Sequence, residues 1–168
     1  MIYLCRARII LLDKLNFKEI AMRIQEVSLD TEVMQKLISL SEDWEKEKSC
    51  HGYRANTEED IKGNRVFAAL EDQEIIGYLF GHKAVTKKDT PIYKCGEDYF
   101  ELEELYVVPR YRNQGIGAKL FRYAEERIKE DVGLILLGTA TKNYKAILHF
   151  YIEELGMEFW SAALFKRI

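Results

Sequence analysis

LYVVPRYRNQGIGAKLF, residues 105–121, holds in order an apolar strand, a proline stop, a glycine-bearing turn and the start of a helix. Pro109 cannot donate to a sheet ladder, so the strand closes there. A strand handing over to a helix in this way leaves free backbone N–H groups at the turn, and the bare Gly115 and Gly117 let a ligand approach the main chain. The helix N-terminus favours negative charge. A diphosphate therefore fits, with Arg112 and Arg110 placed to add charge-assisted hydrogen bonds. The stretch has no G-x-x-x-x-G-K-[ST], and its glycines are not in G-x-G-x-x-G order, which disfavours a nucleoside triphosphate or a nicotinamide cofactor. Two glycines flanking one residue are, taken alone, ordinary turn chemistry.

Upstream, residues 99–108 form the apolar run that the proline ends. Before it, residues 65–70 and 75–84 are two apolar runs joined by the polar turn Glu71-Asp72-Gln73-Glu74, which predicts an antiparallel hairpin. Residues 22–27 alternate as a strand does. Asp30 or Thr31 then caps a helix to about Lys48, with Val33, Met34, Leu37, Ile38, Leu40 and Trp44 as its core-facing stripe. Thr57 with Asp60 three residues on resembles a capping box and predicts a second, short helix. Downstream, Ile116, Leu120, Phe121, Ala124 and Ile128 share one face of a helix from Gly115 to about Glu130. Residues 134–137 read as a short strand inside a sheet. Thr141 or Asn143 caps a last helix bearing Ile147, Phe150, Tyr151 and Leu155, stopping at Gly156. Residues 159–168 read as one or two closing strands.

The 168 residues suit one domain, and no repeat, low-complexity tract or linker divides them. The domain is expected over 22–168, because residues 1–21 fit the plan poorly. Lys18-Glu19 can be encoded by a ribosome-binding sequence shortly before Met22, so one expectation is an upstream start chosen in error. The other is an added N-terminal strand or helix. Intact peptides from before Met22, in protein made from its native gene, would decide for the second.

Hydrophobic residues make up 48% and charged residues 32%, the balance of a globular protein. Lys and Arg total 25 against 28 Asp and Glu, a net charge of −3, which leaves no basic excess for nucleic acid. Cys5, Cys50 and Cys95 are odd in number and far apart, so they read as reduced thiols of a cytoplasmic protein rather than a metal site or disulfide framework. The apolar run at residues 9–12 is too short to span a membrane. His51, His82 and His149 lack matched partners in sequence and read as structural or exposed.

The run V-V-P-R-Y-R-N-Q-G-I-G is similar to the acetyl-CoA signature of the GNAT superfamily of N-acetyltransferases, [QR]-x-x-G-x-[GA] after a strand ending near V-x-P. Arg112, Gly115 and Gly117 match its fixed places, and Val107 and Pro109 match the approach. N-Y-K-A-I-L-H-F-Y-I-E-E-L-G-M, residues 143–157, resembles the family's second motif, with Met157 in place of the usual Phe. The resemblance covers residues 22–168. It implies an α+β fold: a mixed, mostly antiparallel sheet of six to seven strands with about four helices, splayed between its fourth and fifth strands. The pantetheine arm of acetyl-CoA, the cosubstrate, would lie in the gap. Leu105, Tyr106 and Val107 would hydrogen-bond that arm through their backbone, and one of their amides would hold the thioester oxygen. Arg112, Asn113, Gln114, Gly115, Ile116, Gly117 and Ala118 would wrap the pyrophosphate. Asn143 would reach the arm.

The same resemblance implies direct attack by a primary amine within a ternary complex, with no metal. The amine must lose a proton, and a carboxylate near it helps. Glu101, Glu103 and Glu104 crowd before Leu105. In a regular strand Glu101 and Glu103 share a face and Glu104 takes the other, a count that a bulge would alter. Glu103 has the offset of the base in polyamine-type members, and Glu101 that of histone-type members, the alternative. Tyr151 matches the tyrosine that acts as general acid toward the coenzyme A sulfur and touches the cofactor. The rival expectation is a catalytically weak regulatory module that keeps the acyl-CoA pocket. The acceptor stays open among polyamines, aminoglycosides and peptide or lysine amines. The glutamates suit a cationic one, while the acidic run at 41–45 reads as a solvated helix end. A homodimer is admitted; nucleic acid and membrane partners are not.

Overall fold

The computed structural model describes residues 22–168. The expectations for residues 1–21, Cys5 included, lie outside the described residues. Strand β1 (Arg23–Val27) leads to helix α1 (Thr31–Glu47), whose start is capped as the sequence predicts: the Asp30 carboxylate accepts the Val33 N–H at 2.9 Å. Asp60 opens the short helix α2 (Glu58–Ile61) by accepting the Thr57 N–H at 2.8 Å. The hairpin of β2 (Arg65–Glu71) and β3 (Glu74–Val85) turns on Asp72 and Gln73, whose φ values of 47° and 73° give the turn twist that suits paired strands. Strand β4 (Asp98–Val107) stops at Pro109, which begins a single 3₁₀ turn to Tyr111. Then come α3 (Ile116–Ile128), β5 (Ile135–Leu136) and α4 (Tyr144–Leu148), whose winding widens to a π-helix over His149–Glu154. Among the described residues no helix is long and apolar enough to cross a membrane.

One mixed sheet runs in the order β1-β2-β3-β4-β5, antiparallel except for the parallel β4–β5 pair. Its two faces carry two apolar layers. Phe67, Leu79, Phe100 and Val107 meet Ile116, Leu120, Phe121, Ala124 and Ile128 of α3 on one side. Val66, Tyr78, Phe80 and Tyr106 meet Leu37 and Leu40 of α1 and Ile61 of α2 on the other. Burying each such side chain contributes about 1.5–3 kcal/mol, which is why a sheet alternating in this way settles between helices. One register shift matters for the site. Between Phe80 and Gly81 of β3 the partners on β4 skip from Glu104 to Leu102, so Glu103 is an extra, bulged residue.

The described sheet has five strands, not six to seven. Residues 157–168 form no strand, and Leu164 and Phe165 are 95% and 73% exposed. The reason lies in β5. It has two residues, so it offers a following strand almost no ladder to extend. Its Ile135 and Leu136 are half-buried rather than interior, which also corrects the reading of residues 134–137 as a strand enclosed within the sheet.

Candidate active site

Strands β4 and β5 pair only at Phe100 with Ile135 and Glu101 with Leu136, then part. Beyond that point the edge of β4 from Leu102 to Val107 faces a cleft of about 720 Å³, whose other walls come from residues 111–118, 137–151 and 44–53. The parting of the two strands creates the opening. A strand edge without a neighbour presents N–H and C=O groups in a row, suited to an extended amide-bearing ligand.

Where β4 ends, the chain is held by Arg112. Its Nε donates to the Val107 carbonyl at 2.8 Å, and its two terminal nitrogens donate to both carboxylate oxygens of Glu47 at 2.9 and 2.7 Å. The guanidinium also lies over the Tyr106 ring, 5.3 Å from its centroid, and Tyr106 Oη donates to Glu47 at 3.0 Å. This fork ties the end of α1 to the turn before α3. Sequence reasoning placed Arg112 at a phosphate; the structure places its side chain against Glu47, a residue 65 positions away that no local signal flags.

The turn itself supplies amides. Gly115, the residue before α3, has φ 73°, backbone that glycine adopts without the strain a Cβ brings. Lys119 is the first residue of α3 to close a helical bond, to the Gly115 carbonyl at 3.0 Å, so the N–H groups of Ile116, Gly117 and Ala118 have no acceptor within the helix. Gly117 is packed: a Cβ there would stand 3.3 Å from the Phe150 ring and 3.4 Å from Leu105. Asn113 lines the cleft with φ 61°, whereas Gln114 points back to the Arg110 carbonyl at 3.2 Å and is not in the lining.

Across the cleft Asn143 precedes α4, its N–H donating to Thr141 Oγ1 at 3.1 Å while its side chain makes no capping bond. Tyr151, on the π-helical turn, is packed edge-on against Phe150 and Phe121 with centroids 5.0 and 6.4 Å away. Burial pushes its phenol up to about 12. The π winding brings successive residues to the same region, Phe150 against Gly117 and Tyr151 against Phe121.

The three glutamates are sorted by the bulge. Glu104 is buried and accepts from Tyr78 Oη at 2.8 Å; burial raises its carboxyl, opposed by the hydrogen bonds it receives. Glu103 lines the cleft, and its carboxyl is raised by partial burial and then by Glu101, against the pull of His82. Glu101 accepts from Tyr99 Oη at 3.2 Å and does not line the cleft. The regular alternation expected for these residues is corrected here. His82 follows Tyr78 and Phe80 on the α1 side of β3, and its ring nitrogens stand 3.6 Å from Glu103 and 4.0 Å from Glu101, so Glu103 joins Glu104 on that side. His82, which the sequence marks only as structural or exposed, stands beside two carboxylates. Its place follows from the β3–β4 register, where it pairs with Glu101.

An open strand edge leading to free amides at a helix start is the arrangement that the acetyl-CoA signature describes, and the family model for GNAT acetyltransferases matches residues 32–157. The chain belongs to the GNAT acetyltransferase family. Among solved structures, this GNAT chain is similar to an aminoglycoside acetyltransferase from an uncultured soil metagenomic sample in complex with sisomicin, with 20% identity, a TM-score of 0.62, and 88% and 96% of the two chains covered. It is also similar to a transcriptional regulator from Bacillus halodurans C-125, at 24% identity and TM-score 0.62, covering 88% and 100%. A third, the aminoglycoside N-acetyltransferase AAC(6')-Iy in complex with CoA, has 16% identity and a TM-score of 0.58 over 87% and 98%. These likenesses show the fold of the GNAT chain. No curated protein sequence is significantly similar to it.

Proposed function

We propose that this GNAT chain is an acetyl-CoA-dependent N-acetyltransferase acting on a primary amine by direct attack in a ternary complex. The observation that carries the reading is the free edge of β4, running from Leu102 to Val107 straight into the unsatisfied N–H groups of Ile116, Gly117 and Ala118. Acetyl-CoA brings the activated acetyl group. Leu105, Tyr106 and Val107 hold its pantetheine arm by their main chain, with Asn143 opposite. The amides of residues 113–118 hold the diphosphate, and Arg112 acts by fixing the turn that carries them.

Glu103 takes a proton from the acceptor ammonium, which frees the nitrogen lone pair for the carbonyl carbon. The new C–N bond forms as the C–S bond breaks. Tyr151 gives its proton to the departing thiolate, and the second proton, shed by the acylated nitrogen, returns through water to the phenolate. Burial keeps the phenol neutral, and so able to donate, throughout the neutral range. Glu103 is favoured over Glu101 because it lines the cleft. Amine, carboxylate and phenol complete this chemistry without a metal. A cationic acceptor, whether polyamine, aminoglycoside or peptide amine, suits a wall that carries Glu103 and Glu104. The test pairs calorimetry with acetyl-CoA and a thiol-release assay over those amine classes. Amine-stimulated thiol release is expected; binding of acetyl-CoA without such release would make the chain a regulatory module instead.

A further inference from the structure

We propose that His82 is a positioning residue for the Glu103 carboxylate, held by Asn64 in the tautomer protonated at Nδ1. The inference rests on the reading of Glu103 as proton acceptor. Asn64, in the turn between α2 and β2, donates from Nδ2 to the Asp60 and Ile61 carbonyls at 3.1 and 3.0 Å. The reverse orientation would press its oxygen against two carbonyl oxygens, so Oδ1 is the atom turned to His82. That oxygen only accepts. It lies 3.2 Å from His82 Nδ1, and a proton must sit on that nitrogen for the contact to be a bond.

The same Nδ1 stands 3.6 Å from Glu103 Oε1, and Nε2 stands 4.0 Å from Glu101 Oε2. The locked N–H therefore points into the space between Asn64 and Glu103, an electropositive edge facing one carboxylate. Glu103 lines the cleft, whereas His82, Glu101 and Asn64 do not. His82 stands behind the base. Glu101 and Glu104 accept from Tyr99 Oη at 3.2 Å and Tyr78 Oη at 2.8 Å, whereas Glu103 faces the His82 Nδ1 edge at 3.6 Å, a charge–dipole contact rather than a hydrogen bond. The neighbouring cation Lys83 is turned to Asp98, 2.8 Å away. The bulge makes this support necessary. Glu103 has no residue opposite it on β3, and Glu101 and Glu104 flank it with like charge.

Two substitutions separate the ring nitrogens. In His82→Asn the amide nitrogen takes the place of Nδ1, and in His82→Gln it takes the place of Nε2. Rates for an active amine are measured against pH at saturating acetyl-CoA. His82→Gln is expected to lose up to about ten-fold in kcat, the upper end of what one neutral polar contact contributes. Its acid limb should move up by about one pH unit, because the ionised carboxylate has lost the N–H dipole that faces it. His82→Asn should stay within about three-fold of the native rate with its limb in place, and Asn64→Ala should fall between, all with native affinity for acetyl-CoA. Equal losses in the Asn and Gln variants, or a loss uniform across pH, would overturn the proposal. So would a chelator that reproduces the loss in native protein, since the three ligand atoms of His82, Glu101 and Glu103 lie within 4.8 Å of one another and a bound cation would then be their purpose. A native protein inert toward every amine would sink the enzyme reading instead, a distinguishable failure.

Discussion

Glu103 and Tyr151 stand on opposite sides of the cleft, and burial raises both: the ionised Glu103 becomes the stronger proton acceptor, and Tyr151 keeps its proton. Partial burial and Glu101 raise the Glu103 carboxyl, so it gains its proton at a higher pH than an ordinary glutamate and the native rate falls as pH drops through that value. Glu103→Gln is expected to lower kcat/KM about 10²-fold near neutrality, with a deficit that narrows as pH approaches about 10.4, where a free alkylamine needs no base. A rate–pH profile of the variant that parallels the native one would remove Glu103 from the role. Tyr151 is raised as well: burial alone keeps the phenol protonated up to about 12, so no alkaline loss of rate below that pH belongs to it. Tyr151→Phe should cost about 10- to 100-fold in kcat while calorimetry finds acetyl-CoA affinity nearly unchanged. A fully active Phe variant would end the assignment.

Between β4 and α3 the chain makes a joint, and the joint is a fair measure of what local sequence can say. Pro109 as a stop, Gly115 as a left-handed residue and the apolar face of α3 were all legible, because each is a property of a few adjacent residues. The Glu103 bulge left only a trace, two glutamates in succession where a strand should alternate. Its consequence, three glutamates met by three separate polar neighbours, depends on β3 and α2. The clamp of Arg112 on Glu47 was invisible for the same reason, as was the absence of strands at residues 159–168, where the local pattern fits a strand and the missing partner edge decides. Two variants test the joint. Gly115→Ala must hold φ 73° and should lose about 1 kcal/mol of stability, with several-fold weaker acetyl-CoA binding. Glu47→Ala releases a partly exposed ion pair worth about 1 kcal/mol, and it should weaken acetyl-CoA binding by freeing the turn rather than by removing a ligand contact. Unchanged affinity in the Glu47 variant would show that the turn holds its shape alone.

At the scale of the molecule, stability and binding are divided between different parts. The sheet between α1 and α3 is closed on both faces, so Leu120→Ala, at a fully buried position, is expected to cost about 2–5 kcal/mol, while Leu164→Ala, 95% exposed, should stay within about 0.5 kcal/mol. The segment from β5 through α4 is different. It joins the rest of the sheet by a two-residue ladder, meets α3 through Phe150, Tyr151 and the Arg122 bond to the Glu154 carbonyl, and is tied to the loop after α1 by a bridge between Cys50 and Thr141. A ligand bridging β4 and this segment adds contacts where the two strands have parted. Acetyl-CoA at a hundred times its dissociation constant stabilises by about 2.7 kcal/mol, a rise in Tm of about 5–10 °C for a chain of this size. Hydrogen exchange locates the effect: amides of residues 102–107, 113–118 and 143–151 should slow on binding, while those of β1 and β2 keep their native rates. Protection spread evenly over the sheet would mean that the cofactor acts on global stability and does not bridge the cleft. Slowing confined to α3 would leave the diphosphate contact standing and remove the pantetheine arm from the edge of β4.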